Sequence, residues 1–216
     1  LAQAVKYRQQ AEEAQELLSR EHERITRDKS KLAARVTTGL ASLDAVIDEL
    51  RIGDNVVWQA DHIDEYRHFV ASFVNRAREE GKRIVYLRFA DHKPVIDPSE
   101  ASQVYHLDAV EGFESFSSEV YNIATKEGKG VYYVFDCLSN LLSAWATDLM
   151  IGNFFVITCP YLYELDTIAH FAIIRDSHSF QTVARIRETT QVLLAVLSMG
   201  GYYYVHPLKV WRRYSP

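Results

Sequence analysis

The sequence predicts an α/β domain of three layers, a mostly parallel sheet between helices, with a long helix in front of it. Three observations carry this. Short apolar runs alternate along the chain with stretches of helical period, and a β-then-α-then-β order builds helix-covered parallel sheets. Several runs are continuously apolar rather than alternating, as in GVYYVFD at 130–136, which implies burial on both faces of a sheet. Residues 1–35 contain neither Gly nor Pro and are rich in Ala, Glu, Gln, Lys and Arg, all good helix formers.

The elements follow in order. Residues 1–35 read as a helical arm. Its apolar positions, Val5, Ala11, Ala14, Leu17, Leu18, Ile25 and Leu32, are too sparse for a sustained heptad seam, so a solvated linker or an arm packing on a neighbour is expected rather than a coiled coil. Residues 36–216 form the α/β domain. It opens with a short helix beginning in TTGLASLD, with Thr38 or Ser42 as its cap, then a turn at Gly53 and a strand at Val56–Gln59. Ile63, Tyr66, Phe69, Val70, Phe73, Val74 and Ala77 recur at helical spacing within 61–80, and Gly81 ends that helix. KRIVYLRF at 82–89 is the next buried strand, and Pro94 and Pro98 mark a loop after it. Strands are then predicted at 105–108, 130–136, 154–159 and 169–174, helices at 112–126 and 180–197, and a last strand at 202–205.

Composition narrows the class. At 216 residues and 48% hydrophobic content the chain can bury one substantial core. Cys137 and Cys159 lie inside apolar runs, which suits small core hydrophobes rather than a disulfide or metal framework. No apolar run reaches the ~18 residues of a membrane-spanning helix, and the first residues show no signal-peptide core, so a cytoplasmic location is expected. The formal net charge of -5 argues against nucleic-acid binding by bulk electrostatics.

The run TTGLASLDAVIDELRIGDNVVW, followed by a helix and GKRIVYLRF, resembles the opening of KaiC-type members of the RecA ATPase superfamily. There a T-G-x-x-x-L-D element precedes a strand and a phosphate loop. GVYYVFD is similar to that family's Walker B strand, which would make Asp136 the magnesium-side carboxylate, with Ser139 shortly after. The resemblance spans roughly residues 36–174. It fails at the phosphate loop. Such a loop needs glycines, a Lys and a Ser or Thr so that main-chain N–H groups and charge can hold phosphates. After Trp58 the chain reads QADHIDEYRHF, with no glycine, no Lys and three carboxylates, Asp61, Asp64 and Glu65. Carboxylates at a helix N-terminus satisfy its dipole and repel a triphosphate. The stretches RIRETTQVLL and YYYVHPLKVWRRYSP resemble a segment of bacterial proteins related to phosphoenolpyruvate synthase and pyruvate phosphate dikinase, in which a degenerate KaiC-like domain precedes the PEP/pyruvate-binding part. That resemblance implies a front module without the family's catalytic regions, and no catalytic residue is carried over.

Candidate site residues are weighed one by one. Asp136 ends a central strand, where ligands bind in open α/β sheets; without a phosphate loop opposite, a cap or turn role is preferred. Asp61, His62, Asp91, His92 and Asp136 could gather at one sheet edge as a vestigial nucleotide site, although no tight metal-ligand spacing is visible. His178 and His206 are read as hydrogen-bonded structural histidines. No G-x-S-x-G elbow occurs, so hydrolase chemistry has little support. Arg185, Arg187, Lys209, Trp211, Arg212 and Arg213, interleaved with Tyr202–Tyr204 and Tyr214, form the most basic and aromatic stretch, suited to a protein interface. The preferred reading is therefore a non-catalytic structural or regulatory interaction module needing no cofactor, with a protein or adjacent domain as partner, self-assembly left open, and no membrane. A nucleotide-binding enzyme domain using ATP and magnesium through an unconventional cradle, and a nucleic-acid-binding RecA relative, are the alternatives.

Overall fold

A computed structural model describes residues 2–145 and 147–213, and within the first helix the side chains of 16, 17 and 19–33. Tyr214 and the side chains of Val5, Ala11, Ala14 and Leu18 lie outside the described residues. The chain divides into two compact units at Ala34 and Arg35. The first unit is one helix, α1 (Ala2–Ala33). Its exposed face carries an i,i+4 ion pair, Arg20 to Glu16 at 2.5 Å, of the kind worth only ~0.3–0.5 kcal/mol. No helix among the described residues is long and apolar enough to cross a membrane.

The second unit is α/β, with a seven-stranded sheet covered by helices on both faces. It begins with β1 (Arg35–Val36), α2 (Ala41–Ile47) and β2 (Leu50–Arg51), β1 and β2 pairing antiparallel. The TTGLASLD element folds into a clasp. The Asp44 carboxylate accepts the Thr37 hydroxyl, the Thr38 N–H at 2.7 Å and the Thr38 hydroxyl at 2.7 Å. Gly39, at φ +83°, is pressed so close to α3 (Ile63–Glu79) that a Cβ would stand 2.3 Å from the Ser72 carbonyl, so only glycine fits. Neither expected cap is used: Leu40 holds the N-cap position of α2, and no side chain caps it.

The remaining elements are β3 (Asn55–Ala60), β4 (Ile84–Arg88), β5 (Gln103–His106), α4 (Phe113–Glu127), β6 (Tyr132–Cys137), α5 (Leu149–Glu164), β7 (Ile168–Ile174), α6 (Phe180–Thr189), β8 (Val192–Met199) and β9 (Tyr202–Val210). The sheet order is β5-β4-β6-β7-β3-β8-β9. All neighbours are parallel except β9, which joins β8 antiparallel. The chain leaves β3 for β4 through α3 and then works back across the sheet through α4, α5 and α6. Because crossovers are right-handed, reversing direction puts the returning helices on the opposite face. Accordingly Tyr66, Phe69, Phe73 and Val74 of α3 pack with Trp58, Tyr86 and Val134. On the other face Phe116 of α4, Phe154 and Phe155 of α5 and Ile186 of α6 pack with Val57, Phe135 and Phe171.

Three expectations are corrected. The run 154–159 is no strand but the middle of α5. A short, wholly apolar run is the case that periodicity cannot decide, and the flanking residues settle it: Ile151, Phe154, Phe155, Thr158, Cys159 and Leu162 are buried at i, i+3, i+4, i+7, i+8 spacing. Pro160 sits inside this helix and forgoes one i→i−4 bond. The predicted helix at 180–197 ends at Thr189, and Val192–Met199 is β8, which fills the place beside β3. The last strand runs to Val210 rather than 205.

Candidate functional site

Ligands of open parallel sheets bind outside the C-terminal ends of strands, where outgoing connections diverge to opposite faces. Here that point lies between β3, which leaves to α3, and β7, which leaves to α6; their last residues, Ala60 and Ile174, are in register. The mouth is strapped by Arg175. Its N–H donates to the Ala60 carbonyl at 2.8 Å, its Nε to Asp61 Oδ1 at 2.6 Å and its NH2 to the Val196 carbonyl at 2.5 Å.

The N-terminus of α3 already holds an anion. Glu65 Oε2 accepts the main-chain N–H of Asp61 at 2.8 Å and of His62 at 3.3 Å. The Glu65 side chain is buried, and its Oε1 has no hydrogen-bond partner. A carboxylate three residues into a helix that reaches back to its first N–H groups is half of a capping box and complements the helix dipole. Asp64 pairs with Arg67, which also donates to the carbonyls of Lys93 and Pro94. Asp61 and His62 are exposed.

Asp136 is fully buried at the end of β6. Its Oδ1 accepts the Tyr86 hydroxyl at 2.5 Å, and its Oδ2 accepts the N–H groups of Phe89 and Ala90 at 3.1 Å each. Burial, with the Asp136 charge beside it, pushes the Tyr86 phenol well up, so Tyr86 is a neutral donor. His92 Nε2 lies 4.0 Å from Asp136 Oδ1, but it accepts the Cys137 N–H at 3.3 Å while Nδ1 faces the Lys93 carbonyl at 2.7 Å. That pattern fits the neutral ring with its proton on Nδ1. Asp136 thus ties the exit of β4 to the exit of β6. Asp91 is exposed beyond it and, with His106, Asp108, Asn140 and Ser143, lines a cleft of about 440 Å³. Among the described residues no three His, Cys, Asp or Glu side chains come together as a metal site.

Compared with known proteins, the chain matches no family model and no curated relative.

The basic aromatic stretch does not form one free patch. Arg213 is a correction: its side chain is 1% exposed and its NH2 pairs with buried Asp54 at 2.5 Å. An Arg taken out of water needs such a partner. Arg185 bonds Asn153, and Lys209 donates to the carbonyls of Arg187 and Glu188. Arg187 is exposed, as is Arg212, whose guanidinium lies 4.4 Å over the half-buried Trp211 ring. Near this stretch, exposed apolar residues gather on the β8–β9 ribbon, at Leu197, Met199 and Tyr202–Tyr204, with others elsewhere, such as Val110, Ile157 and Phe180.

One constellation was not foreseen. Ser139 follows β6, His178 follows β7, and Asp148 precedes α5; the fold joins them. Ser139 Oγ is 2.7 Å from His178 Nε2, and His178 Nδ1 is 2.6 Å from Asp148 Oδ1. Partial burial pulls the Asp148 carboxyl up, but hydrogen bonds from Ser179, Thr182 and His178 outweigh it and bring it to about 2. An ionised Asp148 only accepts, so His178 Nδ1 carries the proton and Nε2 accepts from the serine. The sequence considered Ser139 and His178 separately and missed Asp148. No spacing signal joins positions 139, 148 and 178; only the adjacency of β6 and β7 does.

Proposed function

We propose that this chain is a degenerate, RecA/KaiC-like P-loop domain that neither holds nor hydrolyses a nucleoside triphosphate and serves as a structural or regulatory interaction module for a phosphotransferase of the PEP-synthase or pyruvate-phosphate-dikinase kind. The observation that carries this reading is the Glu65 carboxylate on the N-terminus of α3. With the N–H groups of Asp61 and His62 committed to a carboxylate of the same chain, negative charge already sits where a phosphate would bind, and it repels a second anion. Two further points support it. The strands equated with the phosphate-loop and Walker B strands, β3 and β6, stand on either side of β7, and the Walker-B-like Asp136 spends its oxygens on Tyr86, Phe89 and Ala90 rather than on a metal. The exposed Leu197, Met199 and tyrosines of the β8–β9 ribbon offer the apolar surface that an adjacent domain would cover.

Isothermal titration of the purified chain with magnesium–ATP, ADP and PEP tests the reading. Flat traces for ATP and ADP are expected. Saturable ATP binding by the wild-type chain overturns it.

A further inference from the structure

We propose that Ser139 is an activated nucleophile for acyl transfer, with His178 as its general base and Asp148 as the residue that positions His178. The proposal is independent of the nucleotide reading and rests on geometry. A nucleophile, a base and an orienting carboxylate linked at 2.7 and 2.6 Å are the signature of an activated serine whatever the fold or chain order. Three features make the arrangement more than a chance contact. The His178 side chain is 1% exposed, so the ring is held between its partners with little competition from water. Asp148 Oδ2 is itself fixed by the Ser179 N–H at 2.9 Å, so the orienting group is supported in turn. The Ile174 N–H donates to Ser139 Oγ at 2.8 Å, which favours negative charge on that oxygen as its proton leaves. Ser139 is a half-buried residue at the C-terminal edge of the sheet, and its neighbours Asn140 and Ser143 line the cleft of about 440 Å³, of which Ser139 is not itself a wall.

The chemistry balances with a small carboxylic ester and water. Ser139 Oγ attacks the ester carbonyl carbon, and an Oγ–C bond forms as the hydroxyl proton passes to His178 Nε2. Collapse of the tetrahedral adduct breaks the ester C–O bond, and the departing alcohol takes that proton. Water, deprotonated by the same imidazole, then releases the carboxylic acid and restores the hydroxyl. The Cys137 thiol, which burial pushes up, is held back by hydrogen bonding from the main chain of Ser139 and Asn140 and from the Ser139 hydroxyl, so that hydroxyl has the sulfur as well as His178 beside it.

The test is covalent labelling of the purified chain with a small fluorophosphonate, read by intact mass and peptide mapping. A single adduct on Ser139 is expected, forming at least about 100-fold more slowly in His178→Ala, since a positioned base contributes that much. In Asp148→Asn the labelling rate is expected to fall and its dependence on pH to shift, which a merely structural role for Asp148 would not produce. Circular dichroism checks that both variants are folded. An unlabelled wild-type Ser139 after exhaustive exposure overturns the proposal without recourse to any variant, and so does labelling that is unchanged in folded His178→Ala.

Discussion

Glu65 reaches back four residues to accept the main-chain N–H of Asp61 at 2.8 Å, so the first turn of α3 carries its own anion. The consequence runs from sequence to function. The start of α3 has no glycine, and the carboxylate that answers the N–H groups ahead of it comes from the first turn of the same helix.

Glu65→Ala removes that cap. It is expected to lower stability by ~0.5–2 kcal/mol, the range for loss of a helix N-cap, in a urea titration. It also leaves the N–H groups of Asp61 and His62 open, so millimolar sulfate should raise the melting temperature of the variant and not that of the wild type. An equal sulfate response in both proteins would contradict the idea that the carboxylate occupies an anion site.

Asp136→Ala strands three donors at once: the buried Tyr86 hydroxyl and Ala90 N–H, and the half-buried Phe89 N–H. Each unsatisfied donor costs ~1–3 kcal/mol, so a loss of roughly 3 kcal/mol or more is expected by chemical denaturation. A variant as stable as the wild type would show that Asp136 is not the tie between β4 and β6.

Arg213→Ala leaves Asp54 buried without its partner. Burial already pushes the Asp54 carboxyl upward despite Arg213, so removing the guanidinium favours the protonated acid. A destabilisation of ~3–5 kcal/mol is expected, as for other broken buried pairs. Arg212→Ala, at an exposed position, should change stability by no more than ~0.5 kcal/mol. The contrast between the two neighbours, measured in the same denaturant series, checks the placement.

His170 predicts a pH dependence. It is fully buried, accepts the Trp58 indole N–H at 3.0 Å through Nδ1 and lies 4.2 Å from the Phe73 ring. Burial lowers its pKa from 6.5 to about 3. Above pH 6.5 the ring is neutral in both states. Between pH 6.5 and about 3 only the unfolded chain takes up the proton, so the folded state loses stability as the pH falls, at ~1.4 kcal/mol per unit from this group. His170→Gln keeps an acceptor for Trp58 and does not titrate. The difference in unfolding free energy between the two proteins at pH 7, 6 and 5 should narrow steadily, and a constant difference would rule out His170 as the source.

Much of the fold was legible because its signals are local. Helical spacing within 61–80, the absence of Gly and Pro from the first 35 residues and the continuous apolar runs at 82–89 and 130–136 each act within one element, and β3, β4, β6, β7, α1, α3 and α4 follow from them. The acidic start of α3, without glycine or Lys between Gln59 and Phe69, was equally legible, since it is a matter of residue types. Residues 154–159 and 192–197 were misread for the converse reason. A short run buried on all sides has the same pattern as helix or strand, and its neighbours in space decide: α5 covers the sheet, whereas 192–197 fills the gap beside β3.

By itself, then, the amino-acid sequence determined the alternation of elements, the two buried faces and the acidic, glycine-free start of α3, because period, burial and residue chemistry are written along the chain. Tertiary structure alone decided which polar groups meet. Glu65 is one of three carboxylates in its segment until α3 turns it back onto Asp61. Arg213 reads as surface until it reaches Asp54. Ser139, Asp148 and His178 lie far apart in the sequence until β6 and β7 pair and bring their ends together. Long-range partners are set by strand order, and strand order is fixed by right-handed crossovers and by the burial of whole faces, neither of which any local stretch of residues encodes.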